Sequence, residues 1–199
     1  MDQVCLKSHL RDIVEITTNH GVFRAQKCLV TLPFGYLKKH HQSLFNPSLP
    51  TKKITSMKHI HFGLLDKIVL KFDHSWWPTL ADSFYMLTNE LGSPGLVWVV
   101  NHGGLVNESI LVCYVSGAQA RTLEALPENE AIARIMKVLR ENFADVKVPD
   151  PIKFARTQWE RDPFALGSYT VWLVVGTTLI HFIAYSRWAR YQKGLYRAV

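Results

Sequence analysis

Gly-x-Gly occurs nowhere in this sequence of 199 residues, so neither the dinucleotide fingerprint nor a P-loop is present. No serine stands in G-x-S-x-G, which removes the nucleophile elbow of the α/β-hydrolases. Cysteine is scarce: Cys5, Cys28 and Cys113 are odd in number and widely spaced, which excludes a disulfide framework and any C-x-x-C zinc site. Reduced, buried thiols are expected instead. The opening MDQVCLKSHLRD has no apolar core segment, so no signal peptide is expected to begin here. Internal repeats and low-complexity tracts are lacking. A chain with 48% hydrophobic and 20% charged residues is also not disordered, collagen-like or coiled coil.

The net charge of +7 is unevenly spread. Residues 171–199 hold Arg187, Arg190, Lys193 and Arg197 and no acid, leaving 19 cations against 16 anions in residues 1–170. A near-neutral body with a basic tail is not the footprint of a nucleic-acid face, and no nucleic-acid partner is expected.

Strand and helix signals alternate along the body. Ile13–Thr18, Asn19-His20-Gly21 and Val22–Ala25 predict a hairpin. Lys27–Leu32 is an apolar run stopped by Pro33, and Pro50 to Met57 predicts a short helix. Leu65 to Phe72 is a strand with Ile68, Leu70 and Phe72 on one face and Lys67, Val69 and Lys71 on the other. Leu96–Val100 and Ser109–Val115 are apolar runs joined by a loop containing Gly103-Gly104, and Asp82–Pro94 is a further loop. From Pro127 to Phe143, Ile132, Ile135, Met136, Leu139 and Phe143 recur at helical steps, with Glu128 and Glu130 near the positive end of the dipole. Ile152 to Trp159 predicts one more strand. The class is α+β: a mixed β-sheet with flanking helices, the helix at 128–143 packed on it.

Residues 165–186 carry no charge, but the strongly apolar part, Val171 to Tyr185, is shorter than the ~20 residues that a spanning helix needs. It contains Thr177, Thr178 and His181, and is followed by Arg187, Arg190 and Lys193 interleaved with Trp188 and Tyr191, an interfacial pattern. A membrane segment over 171–185 and a buried or divergent terminus both stay open. His59-x-His61 places two imidazoles on one side of an extended segment, with no third ligand at suitable spacing, so no metal site is expected.

Two segments carry composite motifs. The first runs Leu29-Val30-Thr31-Leu32-Pro33-Phe34-Gly35-Tyr36-Leu37-Lys38, then Phe45-Asn46-Pro47-Ser48-Leu49-Pro50, then His61-Phe62-Gly63-Leu64-Leu65-Asp66-Lys67-Ile68-Val69-Leu70-Lys71-Phe72 with Trp76-Trp77-Pro78 after it. The second is Trp159-Glu160-Arg161-Asp162-Pro163-Phe164-Ala165-Leu166-Gly167-Ser168-Tyr169-Thr170. In order and interval these resemble the flavin-containing amine oxidases, the polyamine and spermine oxidases and flavin-dependent histone demethylases. The resemblance covers about residues 4–170, a partial amine oxidase domain, with 171–199 a divergent tail.

The resemblance implies oxidation of an amine C–N bond. Hydride passes to the flavin of FAD, the imine hydrolyses, and O2 is reduced to hydrogen peroxide; an amine or polyamine and O2 are the partners. Lys67 matches the lysine that holds a water near the flavin, where a cation on a rigid strand offsets negative charge. Read without the motif, Lys67 is a solvated strand lysine like Lys71. Trp159 and Tyr169 match substrate-side aromatics beside the isoalloxazine, and an apolar aromatic slot favours the neutral amine that must donate hydride. Phe164 matches an aromatic packed on the cofactor. Thr31, Leu32 and Pro33 match a backbone stretch beside the flavin, and Val4 a backbone contact to adenine. Read from burial habits alone, these aromatics are core residues.

The sequence departs from the family in lacking the opening βαβ unit with its Gly-rich turn and the closing F-A-G-E segment, which carry phosphate recognition. The resemblance therefore implies a fragment: the substrate-binding half of a two-domain FAD-dependent amine oxidase with the Rossmann half incomplete. Two other readings stand beside it. One is a non-catalytic, membrane-anchored remnant; the other is an L-amino-acid oxidase, which needs a cation for the substrate carboxylate that no trusted motif supplies here.

Overall fold

The structure is a computed structural model that describes residues 5–10, 13–77 and 82–171. It divides into two compact units, residues 1–62 with 170–199, and residues 63–169. Val4 and nearly all of the apolar 171–185 segment lie outside the described residues.

The first unit begins with β1 (Cys5–Leu10), β2 (Ile13–Thr18) and β3 (Gly21–Ala25), followed by α1 (Phe34–Leu44), β4 (Phe45–Asn46), α2 (Thr51–His59) and β5 (His61–Gly63), at whose end the chain passes into the second unit. The predicted hairpin is present: β2 and β3 pair antiparallel with Thr18 opposite Gly21, a two-residue turn that takes Gly21 to a φ of 134°. The sheet order is β3-β2-β1-β4, and the β1–β4 pair is parallel, so this sheet is mixed. Val14, Leu44, Phe45, Leu49 and Met57 form its buried core, against which Cys28, Val30 and Leu32 pack. The Lys27–Leu32 run forms no regular strand. It leads through Pro33 into α1, a helix the apolar pattern did not announce.

Pro33, Pro50 and Pro127 each stand immediately before a helix, and their carbonyls accept the N–H groups of Leu37, Ile54 and Ala131. A residue there needs no N–H of its own, which is why proline is tolerated at each start.

In the second unit come β6 (Leu65–Lys71), β7 (Ser83–Thr88), β8 (Gly95–Asn101), the short α3 (Gly103–Val106), β9 (Ile110–Ser116), α4 (Gly117–Ala125), α5 (Glu128–Asn142), β10 (Lys153–Arg156) and β11 (Tyr169–Val171), the last crossing back to the first unit. The five-stranded sheet has the order β10-β6-β9-β8-β7 and is antiparallel throughout. The sheet that carries α5 is thus not the mixed one. Three other expectations are corrected. Asp82–Pro94 is not simply a loop, because it contains edge strand β7. Gly103-Gly104 opens a helical turn rather than a loop, and the strand expected over 152–159 is confined to β10.

Alternation along β6 is as predicted: Ile68, Leu70 and Phe72 are buried, while Lys67, Val69 and Lys71 are half-buried. The buried face joins Val97, Val99, Leu111, Cys113 and Val115 to Ala120 and Leu123 of α4 and the Ile132, Ile135, Met136 and Leu139 stripe of α5 in one core. Helices cover one side of the sheet. Burial pushes the Cys113 thiol up to about 12, so it is an inert core residue, whereas Cys28 is only half-buried. Among the described residues no helix is long and apolar enough to cross a membrane.

Candidate functional site

The sheet face opposite α4 and α5 carries a row of aromatic residues that ends at Lys67. Register fixes the row: Lys67 of β6 is opposite Tyr114 of β9, Tyr114 is opposite Trp98 of β8, and Trp98 is opposite Tyr85 of β7. Directly opposed residues on neighbouring strands point to the same face and touch. The Tyr114 and Trp98 ring centroids are 4.8 Å apart and tilted by 30°, and Trp98 and Tyr85 stack at 6.4 Å. Lys67 Nζ lies 5.8 Å from the Tyr114 centroid, within cation–π range. Trp98 is 39% and Tyr85 67% exposed, so the row presents aromatic surface outward.

Lys71, two residues along the same face, differs: its ammonium is paired with Glu108. Among the described residues no carboxylate lies within ion-pair distance of Lys67 Nζ. What faces its ammonium, among the described residues, is the ring of Tyr114.

The second motif is wired to the same strand. The Lys67 N–H donates to Thr157 Oγ1 at 2.9 Å, and the Thr157 N–H donates to the Lys67 carbonyl at 3.0 Å. Two residues on, the Trp159 N–H donates to Asp66 Oδ1 at 3.2 Å. The loop that follows closes on itself, with Asp162 Oδ1 accepting the N–H groups of Phe164 and Ala165 and the Trp159 carbonyl accepting the N–H of Gly167. Gly167 has a φ of 132°, which favours glycine. Ser168 then returns to the strand: its Oγ accepts the Leu65 N–H at 2.6 Å and its own N–H donates to the Gly63 carbonyl at 3.0 Å. Hydrogen bonds to the Asp66 carboxylate and from the Leu65 N–H therefore tie the main chain at Trp159 and the hydroxyl of Ser168 to the first two residues of β6.

Trp159 is 38% exposed, and Phe164 and Tyr169 are exposed by about half. Thr31, Leu32 and Pro33 belong to the first unit, where Leu32 packs on the core, Thr31 and Pro33 are exposed, and Pro33 starts α1. His59 Nδ1 is engaged with the Thr55 carbonyl at 2.7 Å.

A flat ring that gains electrons fits what surrounds Lys67: an ammonium with no carboxylate partner beside accessible aromatic surface. The described residues thus fit the redox-active ring of a flavin and supply no Gly-rich phosphate turn. Sequence reasoning passed over Tyr85, Trp98 and Tyr114, and also the buried acids Asp66 and Glu124. The signals were present: alternation puts Trp98 on the outward face of β8, and it puts Asp66 in line with buried Ile68, Leu70 and Phe72.

The family model for flavin containing amine oxidoreductases matches residues 7–181. The chain belongs to that family. FAD is its cofactor, as the resemblance implied. The match extends past Thr170 to residue 181, into the 171–199 tail that was expected to be divergent. Among curated relatives, the chain is 32% identical over 160 residues to Protein FLOWERING LOCUS D of Arabidopsis thaliana, covering 79% of this chain and 20% of that protein. It is 31% identical over 164 residues to lysine-specific histone demethylase 2 of Homo sapiens, covering 80% and 20%. The chain spans about a fifth of the length of these relatives. Its fold is similar to that of a cyclohexylamine oxidase from Brevibacterium oxydans, with a TM-score of 0.69 at 19% identity over 92% of this chain and 39% of that one. A putrescine oxidase gives 0.67 at 16% identity over 89% and 39%.

Proposed function

We propose that this chain supplies the substrate-facing sheet of an enzyme that oxidises the C–N bond of a polyamine-like alkyl amine with FAD and O2, releasing hydrogen peroxide. The observation that carries this reading is the register row in which Lys67, alone of the two outward lysines on β6, stands against aromatic rings rather than a carboxylate.

A bound flavin would supply a hydride acceptor for the carbon beside the amine nitrogen. This chain's residues supply the setting. Lys67 Nζ holds a water and offers positive charge where electrons arrive. Trp159 and Tyr169 flank the amine, and their rings favour its neutral form, the one with the nitrogen lone pair needed to form C=N. Tyr114, Trp98 and Tyr85 carry the rest of the substrate, methylenes on ring faces and a distant ammonium by cation–π attraction. By the resemblance, Phe164 would help to hold the cofactor by packing, and Thr31, Leu32, Pro33 and Val4 match positions that would contact it through the main chain. Water then adds to the C=N bond and releases the carbonyl product and the shortened amine, while O2 takes up two electrons and two protons to become hydrogen peroxide.

A second reading names a methylated lysine side chain as the amine. It is favoured by the identity of about a third to proteins named lysine-specific histone demethylases. Transplanting residues 4–170 into a complete member of the family and following peroxide release separates the two. Turnover of spermine supports the first reading and turnover of a dimethyl-lysine peptide the second. Release with neither overturns both.

A further inference from the structure

Asp66, the second residue of β6, and Glu124, in the last turn of α4, are buried acids, each 3% exposed, and among the described residues neither has a cation within ion-pair distance. Every donor they meet comes from one stretch of chain. Asp66 Oδ1 accepts Thr157 Oγ1 at 2.8 Å and the Trp159 N–H at 3.2 Å. Glu124 Oε1 accepts the Glu160 N–H at 3.0 Å, and its Oε2 accepts the Arg161 N–H at 3.1 Å. Asp66 Oδ2 is buried and receives no N–H or hydroxyl donor. The neighbouring acid is Glu124, which holds the two amides that directly follow the Trp159 N–H held by Asp66. Two buried acids on consecutive amides with no cation between them disfavour double ionisation, so one of the pair keeps its proton.

We propose that Asp66 and Glu124 share one proton and act together as positioning residues, fixing the main chain of residues 157–161, the stretch that carries Trp159. The pair follows from the fold; only its bearing on the substrate rests on the proposed function. Burial first, and then the neighbouring Asp66, push the Glu124 carboxyl up to about 7. Other charges nearby are committed elsewhere. Arg121 pairs with Glu160, the Arg161 guanidinium donates to the Glu124 carbonyl, and Arg156 donates to the carbonyls of Leu123 and Leu126. Asp162 accepts from its own loop, and Lys67 extends to the other face of the sheet. No histidine occurs in β6, β9, β10, α4 or residues 157–162, so no imidazole there titrates in the same range.

Amide hydrogen exchange on the 199-residue chain tests the pair, with protection at Trp159, Glu160 and Arg161 read by NMR against Val99 on β8. Protection at the three amides is expected to fall by about tenfold or more relative to Val99 as pH rises from about 5 to 7.5. In Asp66→Asn an amide N–H at the place of the orphaned Oδ2 replaces the shared proton. In Glu124→Gln no raised carboxyl is left to ionise, at the expense of one main-chain acceptor. In each the fall shrinks to under about twofold. A wild-type profile parallel to that of Val99, or a slope retained in both variants, overturns the proposal. If one variant fails to fold, the other still decides. No readout involves flavin or turnover, so this test and the peroxide assay fail independently.

Discussion

Lys67 and Tyr114 are directly opposed on β6 and β9, and the ammonium of the first lies 5.8 Å from the ring centre of the second. This is the pairing that separates Lys67 from Lys71. Both alternate outward from the same strand, yet Lys71 is neutralised by Glu108. An ammonium facing only a tyrosine ring retains most of its capacity to hold a water or to stabilise charge that develops nearby.

Lys67→Met, tested in the transplanted homologue, is expected to slow flavin reduction or reoxidation by about 100-fold, the usual cost of losing one preorganised charge at a reacting centre. Lys71→Met removes only a half-exposed surface pair and should change both rates by less than about twofold. Stopped-flow absorbance of the flavin distinguishes them. Equal effects from the two substitutions would remove Lys67 from the site.

Trp98 lies in the middle of the aromatic row, touching Tyr114 on one side and Tyr85 on the other. Trp98→Ala should raise KM for a polyamine by about fivefold to tenfold, which corresponds to losing ~1 kcal/mol of cation–π and stacking attraction. Because it does not face the reacting carbon, kcat should stay within about twofold. A short monoamine should feel much less of the change, since it cannot reach the row. Steady-state peroxide assays with both substrates test this, and an equal KM shift for the two would place the substrate elsewhere.

Much of this was legible in the residues, and the exceptions have physical causes. The β2–β3 hairpin, α2, α5 and the strand at β6 follow from turn chemistry, a proline start and clean periods of 3.6 and 2. Helix α1 was hidden because Pro33 ends one apolar run and begins a helix with the same residue. Strand β7 escaped because Tyr85 and Leu87 are exposed at a sheet edge, so its apolar residues do not alternate as a half-buried strand should. Tyr85, Trp98 and Tyr114 come from three strands, and only cross-strand register reveals that they form a row. Ser168 was visible as a motif letter, but its bond to Leu65 spans 103 residues of chain, whereas Asp162 works locally, on the amides two and three residues on.

The raised Glu124 carboxyl makes stability depend on pH in a stated direction. Its ordinary value is 4.5, and in the fold it is held at about 7. Between these values the folded chain binds the proton more tightly than the unfolded chain, so stability is greatest below about 4.5, falls as pH rises toward 7, and levels off above. Urea midpoints across this range should show that fall. Glu124→Gln, which cannot ionise, should flatten it, and an unchanged slope in the variant would assign the pH dependence to other groups.

Ser168 ties the end of the second motif to the beginning of the strand that carries Lys67. Its hydroxyl accepts the Leu65 N–H at 2.6 Å, and its N–H reaches the Gly63 carbonyl. Ser168→Ala keeps the main-chain bond but leaves the half-buried Leu65 N–H without its acceptor, at a cost of ~1–3 kcal/mol. Gly167→Ala acts differently: at a φ of 132° a side chain strains the backbone by ~1–3 kcal/mol and should loosen the turn between Trp159 and Ser168. The two losses can be told apart by exchange at the Leu65 amide, which Ser168→Ala should deprotect directly. Gly167→Ala should instead deprotect the amide at position 167, which bonds to the Trp159 carbonyl. If Ser168→Ala leaves Leu65 as protected as before, the hydroxyl does not anchor the start of β6, and the serine of the Gly-Ser-Tyr motif needs another explanation.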